Sequence, residues 1–471
     1  MKKISIADCV PSFTGVSTDS RTVKTGDCFF AIAGENFDGH DYVDEAFSKG
    51  AVCAVVSRAS SPRFEGETPS TGRAASRKPQ IIKVDDTIQA LGDLAREYRK
   101  RAGYKVVSIT GSVGKTTTRQ ITHHVLSQHF KVHQSPKSFN NNIGVPFTLL
   151  NAAPGTQIVI AELGSNHPGE IAYLTRIASP DIAVITNVYP AHLEGFGSLE
   201  AIVKEKMSIS KGLLPGGIMI VNSGFKQLTD FCREKNIEFV SFGKSENADI
   251  PVKNISFNGS SSMFTIEGTE IELPLPGQGN VENALAAWSI CKQFGLSAKD
   301  FAKAVKIFSG TVMRAEVMQI GTLTVLNDCY NANPASMKNA LEILSNIDST
   351  KKRRLVFICG DMAELGAQSE NLHVKLGEEV AKAKIDLMLA VGRLSKIAAK
   401  AAKTRAKNNL QIKSFEDTLS ACNKLHEFIK DYDIILVKGS RTAKLEAAVD
   451  KLKELFLRNT PPVMERFDTR F

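Results

Sequence analysis

The residues most able to do chemistry lie together in one short loop, Thr110-Gly111-Ser112-Val113-Gly114-Lys115-Thr116-Thr117. Glycines let a backbone close around an anion with no Cβ in the way, so successive N–H groups and a helix N-terminus can point at phosphate oxygens. Lys115 then reaches the β- and γ-phosphates of a nucleotide, and Thr116, directly after it, is the hydroxyl that a P-loop offers to magnesium. The pattern is shorter than GxxxxGK[ST]: Ile109 and Thr110 stand where the first glycine would lie. The loop reads as a compact variant.

Other polar residues recur at the ends of apolar runs. Glu162 closes QIVIAELG, where a strand end would aim a carboxylate at the phosphate loop and suit magnesium. His192 sits in TNVYPAHLEGFG, at the next strand end, placed to orient a metal or contact phosphate. Asn141 belongs to SFNNNIGVP, a polar loop that can face a substrate or form an ordinary turn. Asn280 and Asn283 open an alanine-rich helix and either present amides to a base or cap the helix. Asp328 and Asn331 in NDCYNANP, GDMAELG and VKGSR follow three further apolar runs, which suggests a cleft facing the nucleotide loop. Lys204 and Lys206, by residue chemistry alone, read as a solvated helix face.

The elements that must hold these residues alternate between strand and helix. Residues 1–84 contain buried-strand runs at 28–33, 51–56 and 81–84 with a helix at 42–49, a small α/β unit. Residues 58–80, rich in Ser, Pro, Gly and Arg without an apolar period, read as a surface insertion. Residues 85–313 begin with a helix at 88–101 and continue through strands at 106–109, 158–161, 182–185, 218–221 and 238–241. Their alternation with helices implies a mostly parallel sheet with ligands at the strand C-terminal ends. Short alternating runs between 250 and 276 read as antiparallel hairpins, followed by helices at 281–294 and 298–307. From 314 to 471 the alternation resumes, with strands at 323–326, 355–359, 387–391 and 434–437 and helices at 336–344, 370–383 and 443–457, a Rossmann-like unit. The tail from 458 reads as extended.

Composition narrows the class. At 471 residues the chain exceeds one core, and length alone suggests about three domains. The N-terminal MKKISIADCVPSF lacks an apolar h-region, and no run approaches the length of a membrane span, so a soluble cytoplasmic protein is expected. Eight scattered cysteines without a CxxC pair suit a reducing compartment. The net charge of +9 is spread along helices and loops rather than gathered beside aromatics, which argues against a nucleic-acid binder.

The set TGSVGKTTT, AELGSNHPGEI, TNVYPAHLEGFGS, NDCYNANPASM, GDMAELG and VKGSR resembles the Mur ligases of peptidoglycan synthesis, from Ser17 to about Leu455. The resemblance implies an α/β protein of three domains: UDP-substrate recognition, a central P-loop ATPase and a Rossmann-like C-terminal domain. YNANP and GDMAELG point within the family to the reaction that joins D-alanyl-D-alanine to UDP-N-acetylmuramoyl-tripeptide. ATP would phosphorylate the tripeptide carboxylate and the dipeptide amine would attack the acyl phosphate, a cytoplasmic step performed by a monomer. The alternatives are another Mur-type or folylpolyglutamate-type ligase with a different amine and, from a different class, a nucleotide-binding module or P-loop motor acting on nucleic acid.

The site follows from the same resemblance. Gly111, Ser112, Val113, Gly114, Lys115, Thr116 and Thr117 would hold the ATP phosphates, with Asn283, Arg314, Asp328 and Asn331 on the nucleotide. Thr116 and Glu162 would bind one magnesium ion and His192 would stand beside a second. Lys206 matches the family's carbamylated lysine, which replaces the solvated-face reading. Ser17, Asp19, Ser20 and Arg21, with Asp38, Gly39 and His40, match the uridine-nucleotide side, and Asn141 faces substrate. The chain departs from the family pattern at Gly279, where histidine is usual, and at Met313, Asn327, Ser208 and Gly224.

Overall fold

The computed structural model describes residues 13–34, 36–57, 79–348, 352–407 and 409–457. The surface insertion read at 58–80 lies outside the described residues up to 78, as does the tail from 458.

Among the described residues four sheets form. The first is wholly parallel: β1 (Val16–Ser17), β2 (Cys28–Phe30), β3 (Cys53–Val56) and β4 (Gln80–Lys83), with the helix Val43–Ser48 between β2 and β3. The second, also parallel, contains β5 (Lys105–Thr110), β6 (Val132–Gln134), β7 (Ile158–Glu162), β8 (Ile182–Ile185), β9 (Ile218–Asn222), β10 (Phe239–Gly243) and β11 (Ile250–Pro251). Its spatial order is 11-10-9-8-5-7-6. From β5 the chain runs to the edge at β6, returns through β7, and crosses to β8 on the other side of β5, from where it winds outward. The end of β5 is therefore the switch point where a crevice opens in such sheets.

An antiparallel meander follows, β12 (Lys253–Asn258), β13 (Ser261–Ile266) and β14 (Thr269–Leu273). The last sheet holds β15 (Glu316–Ile320), β16 (Leu323–Asn327), β17 (Leu355–Gly360), β18 (Leu387–Val391), β19 (Gln411–Phe415) and β20 (Ile434–Lys438) in the order 15-16-20-17-18-19. Only β15 runs antiparallel to its neighbour.

Every central strand predicted from an apolar run is present. Missing from the sequence reading are β1, β6, β15 and β19, together with the helices Arg393–Arg405 and Thr418–Phe428, and β11, which falls in the stretch read as antiparallel hairpins, instead pairs in parallel with β10. Each of those strands is an edge of its sheet. β19 is mostly exposed and β6 only half-buried, so neither needs the continuous apolar run that marks a strand covered on both faces.

Successive residues of a strand point to opposite faces, and β5 shows it: Val106 packs on one side of its sheet, Val107 and Ile109 on the other. Leu91 and Leu94 of the helix Thr87–Arg101 cover the first side. That helix starts where Asp86 accepts from the N–H groups of Ile88 and Gln89 and ends in Arg99-Lys100-Arg101, which suit its negative C-terminus. The same core continues to Cys28, Phe30 and Val55 of the first sheet, so the two units share one packed interior. The helices Lys115–Leu126 and Gln278–Gln293 cover the second side through Ile121, Val125, Leu285 and Trp288.

Trp288, the single tryptophan, lies 5.5 Å from the ring of Phe301. Phe301 is fully buried on a helix fixed by a Ser297/Asp300 capping box. Replacing Phe301 by Ala is expected to destabilise this region by ~3–5 kcal/mol. Denaturant unfolding followed by Trp288 emission measures it, and an unchanged midpoint would show that this packing contributes little.

Candidate active site

The phosphate loop begins where β5 runs out. Gly111 has φ +145° and Gly114 φ +85°. A Cβ on Gly114 would lie 2.0 Å from Asn283 Oδ1, and one on Gly111 would lie 2.1 Å from Thr186 Oγ1. Only glycine meets both demands, and the close approach brings the start of the helix Gln278–Gln293 against the loop.

Residues after β8 lace the loop in place. The Val113 N–H donates to Asn187 Oδ1 (2.8 Å), while Thr186 Oγ1 and Asn187 Nδ2 donate to the Val113 carbonyl (2.7 and 2.9 Å). Ser112 Oγ donates to the Tyr189 carbonyl and accepts from its N–H, both at 2.9 Å. Lys115 opens the next helix and folds back to donate to the Gly111 carbonyl at 2.8 Å.

Glu162, at the end of β7 and only 1% exposed, faces that loop. Thr116 Oγ1 donates to its Oε2 and Asn140 Nδ2 to its Oε1, each at 2.9 Å. Arg119, 2% exposed, pairs with it at 3.4 Å and spends other N–H groups on the carbonyls of Ser135 and Lys137. Among the described residues no three His, Cys, Asp or Glu side chains converge to chelate a metal on their own. Thr116 and Glu162 nevertheless supply adjacent hard oxygens beside a phosphate loop, the partial coordination that Mg2+ completes with phosphate and water. The donor set therefore fits the implied ion.

His192 sits in a left-handed conformation (φ +52°), and its Nδ1 meets Glu364 Oε2 from the last unit. Burial lowers its pKa, Lys115 lowers it further, and Glu364 opposes the shift. The solvated-face reading of Lys206 is wrong, whereas Lys204 is exposed. Lys206 is 2% exposed, donates to Ser165 Oγ at 2.7 Å and lies over the Phe196 ring at 5.8 Å. Burial, with Lys115 adding to it, brings its pKa down to about 7. The neighbouring carboxylate of Glu205 is taken by a helix start, accepting from the Gly169 and Ile171 N–H groups at 2.7 Å. Lys115 is also lowered, chiefly by burial, with Arg314 adding to the shift. Lys115 thus adds to the lowering at both His192 and Lys206.

The last unit supplies the remaining wall. Asp328 follows β16; its Oδ2 accepts from Lys438 Nζ (2.6 Å) and its Oδ1 from the Ala315 N–H (3.0 Å). Lys438, buried at the end of β20, also donates to the Asn331 carbonyl at 2.9 Å. The Arg314 guanidinium lies 4.2 Å from the Tyr330 ring centroid, and the Tyr330 hydroxyl shares a hydrogen bond with Ser138 at 2.6 Å. Together the walls enclose a cavity of about 1080 Å3 that reaches from Asn140 and Ser165 past Lys115 to Gln278 and Glu282.

Predicted residues divide by their place, and Gly111, also predicted, does not line the cavity but offers its carbonyl to Lys115. The loop 112–117, Asn141, Glu162, His192, Asn283, Arg314, Asp328 and Asn331 line this cavity. Asn141 also caps the helix Gly144–Leu150, accepting from the Gly144 N–H at 2.9 Å. Lys206 lies behind the wall, joined to it through Ser165. Ser17, Asp19, Ser20, Arg21, Asp38, Gly39 and His40 do not line the cavity. They form the turns of the first unit: Asp19 binds Arg21 in two places, Ser20 donates to Glu45, and His40 accepts from the Ser57 N–H while its Nδ1 faces Asp38. Nearby Thr18, Ile32, Asn36, Phe37 and Ile143 surround a hollow of about 350 Å3. Of GDMAELG, Asp361 turns away and caps the helix Arg393–Arg405 through the Ser395 N–H, leaving Glu364 to reach the site.

Arg119, Ser165, Tyr330 and Lys438 escaped the sequence reading as individual residues. Ser165, Tyr330 and Lys438 stand inside motifs already singled out, but Arg119, a charge in an amphipathic helix, carries no signal of its burial.

A glycine loop at the switch point of a parallel sheet, with a hydroxyl and a buried carboxylate for a metal, defines a P-loop nucleotide-binding protein. Residues 12–99 match the pattern "Mur ligase family, catalytic domain", 109–291 "Mur ligase middle domain" and 313–441 "Mur ligase, glutamate ligase domain". The chain belongs to the Mur ligase family and is an ATP-dependent ligase. The UDP-N-acetylmuramoyl-tripeptide–D-alanyl-D-alanine ligases of Bacillus subtilis and Escherichia coli are each 35% identical to it, over 93% of both chains. Solved structures of MurF from Acinetobacter baumannii (TM-score 0.82, 30% identity, 95% of both chains) and from Thermotoga maritima with ADP (TM-score 0.80, 27% identity, 98% of this chain and 100% of that one) share its fold.

The depressed pKa of Lys206 fixes the sign of a pH effect. Between about 7 and the ordinary value of 10.5 the unfolded chain binds a proton that the folded chain does not, so stability rises with pH across that window. The slope reaches at most about 1.4 kcal/mol per pH unit. Denaturant titrations in CO2-free buffer should show that slope in the wild type and lose it in Lys206→Met; equal slopes would place the amine in water.

Proposed function

We propose that this chain joins D-alanyl-D-alanine to UDP-N-acetylmuramoyl-tripeptide with ATP, an ADP-forming step of peptidoglycan precursor synthesis. The observation that carries the reading is the convergence of Lys115, the Thr116–Glu162 pair and His192 on one cavity, with Lys206 behind it on Ser165 and Arg314, Asp328 and Tyr330 as the other wall. Identity to ligases of that name along nearly the whole chain supports the same substrates.

A carboxylate is a poor electrophile because its leaving group would be oxide. Attack of a carboxylate oxygen on the γ-phosphorus, with cleavage of the bond to ADP, turns that leaving group into phosphate. The dipeptide amine then adds to the acyl carbon and gives up its proton, and the tetrahedral intermediate expels phosphate to form the amide. Lys115 offsets the charge on the transferring phosphoryl group, and the loop N–H groups hold the phosphates. Thr116 and Glu162 would hold one Mg2+, with His192 and Lys206 serving a second; the ions supply Lewis-acid neutralisation of phosphate charge. Asn283, Arg314, Asp328 and Asn331 would hold the nucleoside side, Asn141 the acid substrate.

Lys206 is carbamylated in this reading. Its amine, neutral above pH of about 7, attacks CO2 and loses a proton, leaving a carbamate oxygen for the second ion. The uridine nucleotide would rest over the hollow beside Thr18 and Phe37, with Ser17, Asp19, Ser20, Arg21, Asp38, Gly39 and His40 shaping its walls. The division is substrate recognition at 1–84, ATP binding at 85–313 and the closing unit at 314–471. In this reading the chain acts as a monomer. Seven buried free cysteines among the described residues support a reducing, cytoplasmic setting.

ADP release with the UDP-tripeptide should require D-alanyl-D-alanine, not a single amino acid, and should vanish in Lys115→Ala with the fold intact. Turnover with a single amino acid instead would move the chain to another branch of the family. For Lys206→Ala, short carboxylates should restore part of the activity, and 13C-bicarbonate should give a carbamate resonance only in the wild type. Neither rescue nor resonance would remove the carbamate.

A further inference from the structure

One end of the 1080 Å3 cavity holds a carboxylate that the reaction above does not use. The hollow of the first unit borders Ile143, so the acid substrate reaches the cavity from the side of Asn140, Asn141 and Asn142. The phosphate loop lies between that side and the start of the helix Gln278–Gln293, which leaves the helix end for the nucleoside. Glu282 lines the cavity there.

Glu282 is poorly supplied with donors. Its contacts are Asn222 Nδ2 at 3.4 Å and Gln278 Nε2 at 3.5 Å, both at the limit of a hydrogen bond. Asn222 Nδ2 is shared with the Thr186 carbonyl at 3.1 Å. An ionised carboxylate has room for about four donors. Burial raises the Glu282 pKa and Glu342 adds to the rise, while Gln278, Lys244 and Asn222 oppose it. Tyr189 lines the same end, its ring braced edge-on by Phe225 at a centroid distance of 5.0 Å, and presents a flat apolar wall. Opposite, Asn339 occupies the space beside Gly279: its Oδ1 accepts from the Gly279 N–H at 3.0 Å, and a Cβ there would come within 3.0 Å of the same atom. The glycine at 279 thus lets a side chain of the last unit close this end.

We propose that Glu282 selects the purine base, its carboxylate accepting from the exocyclic amino group of adenine while Tyr189 covers a ring face. The proposal deepens the ATP reading and rests on it. Adenine supplies the donors that Asn222 and Gln278 barely provide. Hypoxanthine and guanine put a carbonyl oxygen at the same position, so two acceptors would face each other in a partly dehydrated site. A site built around a buried acceptor rejects a ligand that leaves it unpaired.

The test is nucleotide binding by calorimetry, which needs neither the acid nor the amine substrate. With the full chain and Mg2+, ADP should bind about tenfold or more tightly than IDP. Glu282→Gln keeps the size and adds a donor, so the ADP:IDP ratio should fall at least about fivefold, with IDP affinity rising. Equal binding of ADP and IDP by the wild type, or an unchanged ratio in Glu282→Gln, would overturn the proposal. Binding of neither nucleotide to the wild type would overturn the ATP reading itself and this proposal with it.

Discussion

A buried carboxylate held by a buried guanidinium is the constraint on which the site depends. Glu162 and Arg119 are both almost wholly withdrawn from water, and removing one partner of such a pair typically costs about 3–5 kcal/mol because the other charge is stranded. Arg119 comes from the helix that the phosphate loop opens, Glu162 from the neighbouring strand β7, and the carbonyls of Ser135 and Lys137 from the chain between. The pair ties these three segments together. It also holds Glu162 Oε2 beside Thr116 Oγ1, which donates to it at 2.9 Å.

The other half of the site depends on contact between units. Tyr330 meets Ser138, Glu364 meets His192, and Asn339 meets Gly279, each pair joining the last unit to the middle one. Glu364 also accepts the Glu194 N–H through its carbonyl, so the GDMAELG loop grips the His192 turn by backbone and side chain together. Apolar contact adds to these: Leu193, Phe196 and Ile202 of the middle unit belong to one buried core with Leu326, Met362 and Leu365 of the last. The sheet of the first unit shares an apolar core with the helix Thr87–Arg101.

Burial and mutual proximity set the titration of three basic side chains around the phosphate loop. Lys115, His192 and Lys206 are each pushed down by burial, and Lys115 adds to the shift of the other two. Glu205, the nearest acid in sequence to Lys206, is occupied by the N-terminus of the helix Glu170–Ala178 and so does not form a salt bridge with it. The fold keeps one amine on Ser165 behind the wall and the other on the Gly111 carbonyl inside the loop. That difference arises from neighbours and not from residue type.

The sequence by itself determined the alternation of strands and helices, the phosphate loop and its hydroxyl, and the strand-end positions of Glu162, His192 and Asp328. Those features are local: an apolar run buried on both faces, a glycine that must take positive φ, and a polar residue directly after a strand all leave marks within a few residues. Only the tertiary structure decided the burial of Lys206 and Arg119, the edge strands β6 and β19, and the meeting of Glu364 with His192 or Asn339 with Gly279. A lysine or arginine in an amphipathic helix looks the same whether water or a carboxylate faces it, because its partner lies tens or hundreds of residues away. The pairing energy that fixes such a residue depends on that distant partner, and short-range sequence pattern does not encode it.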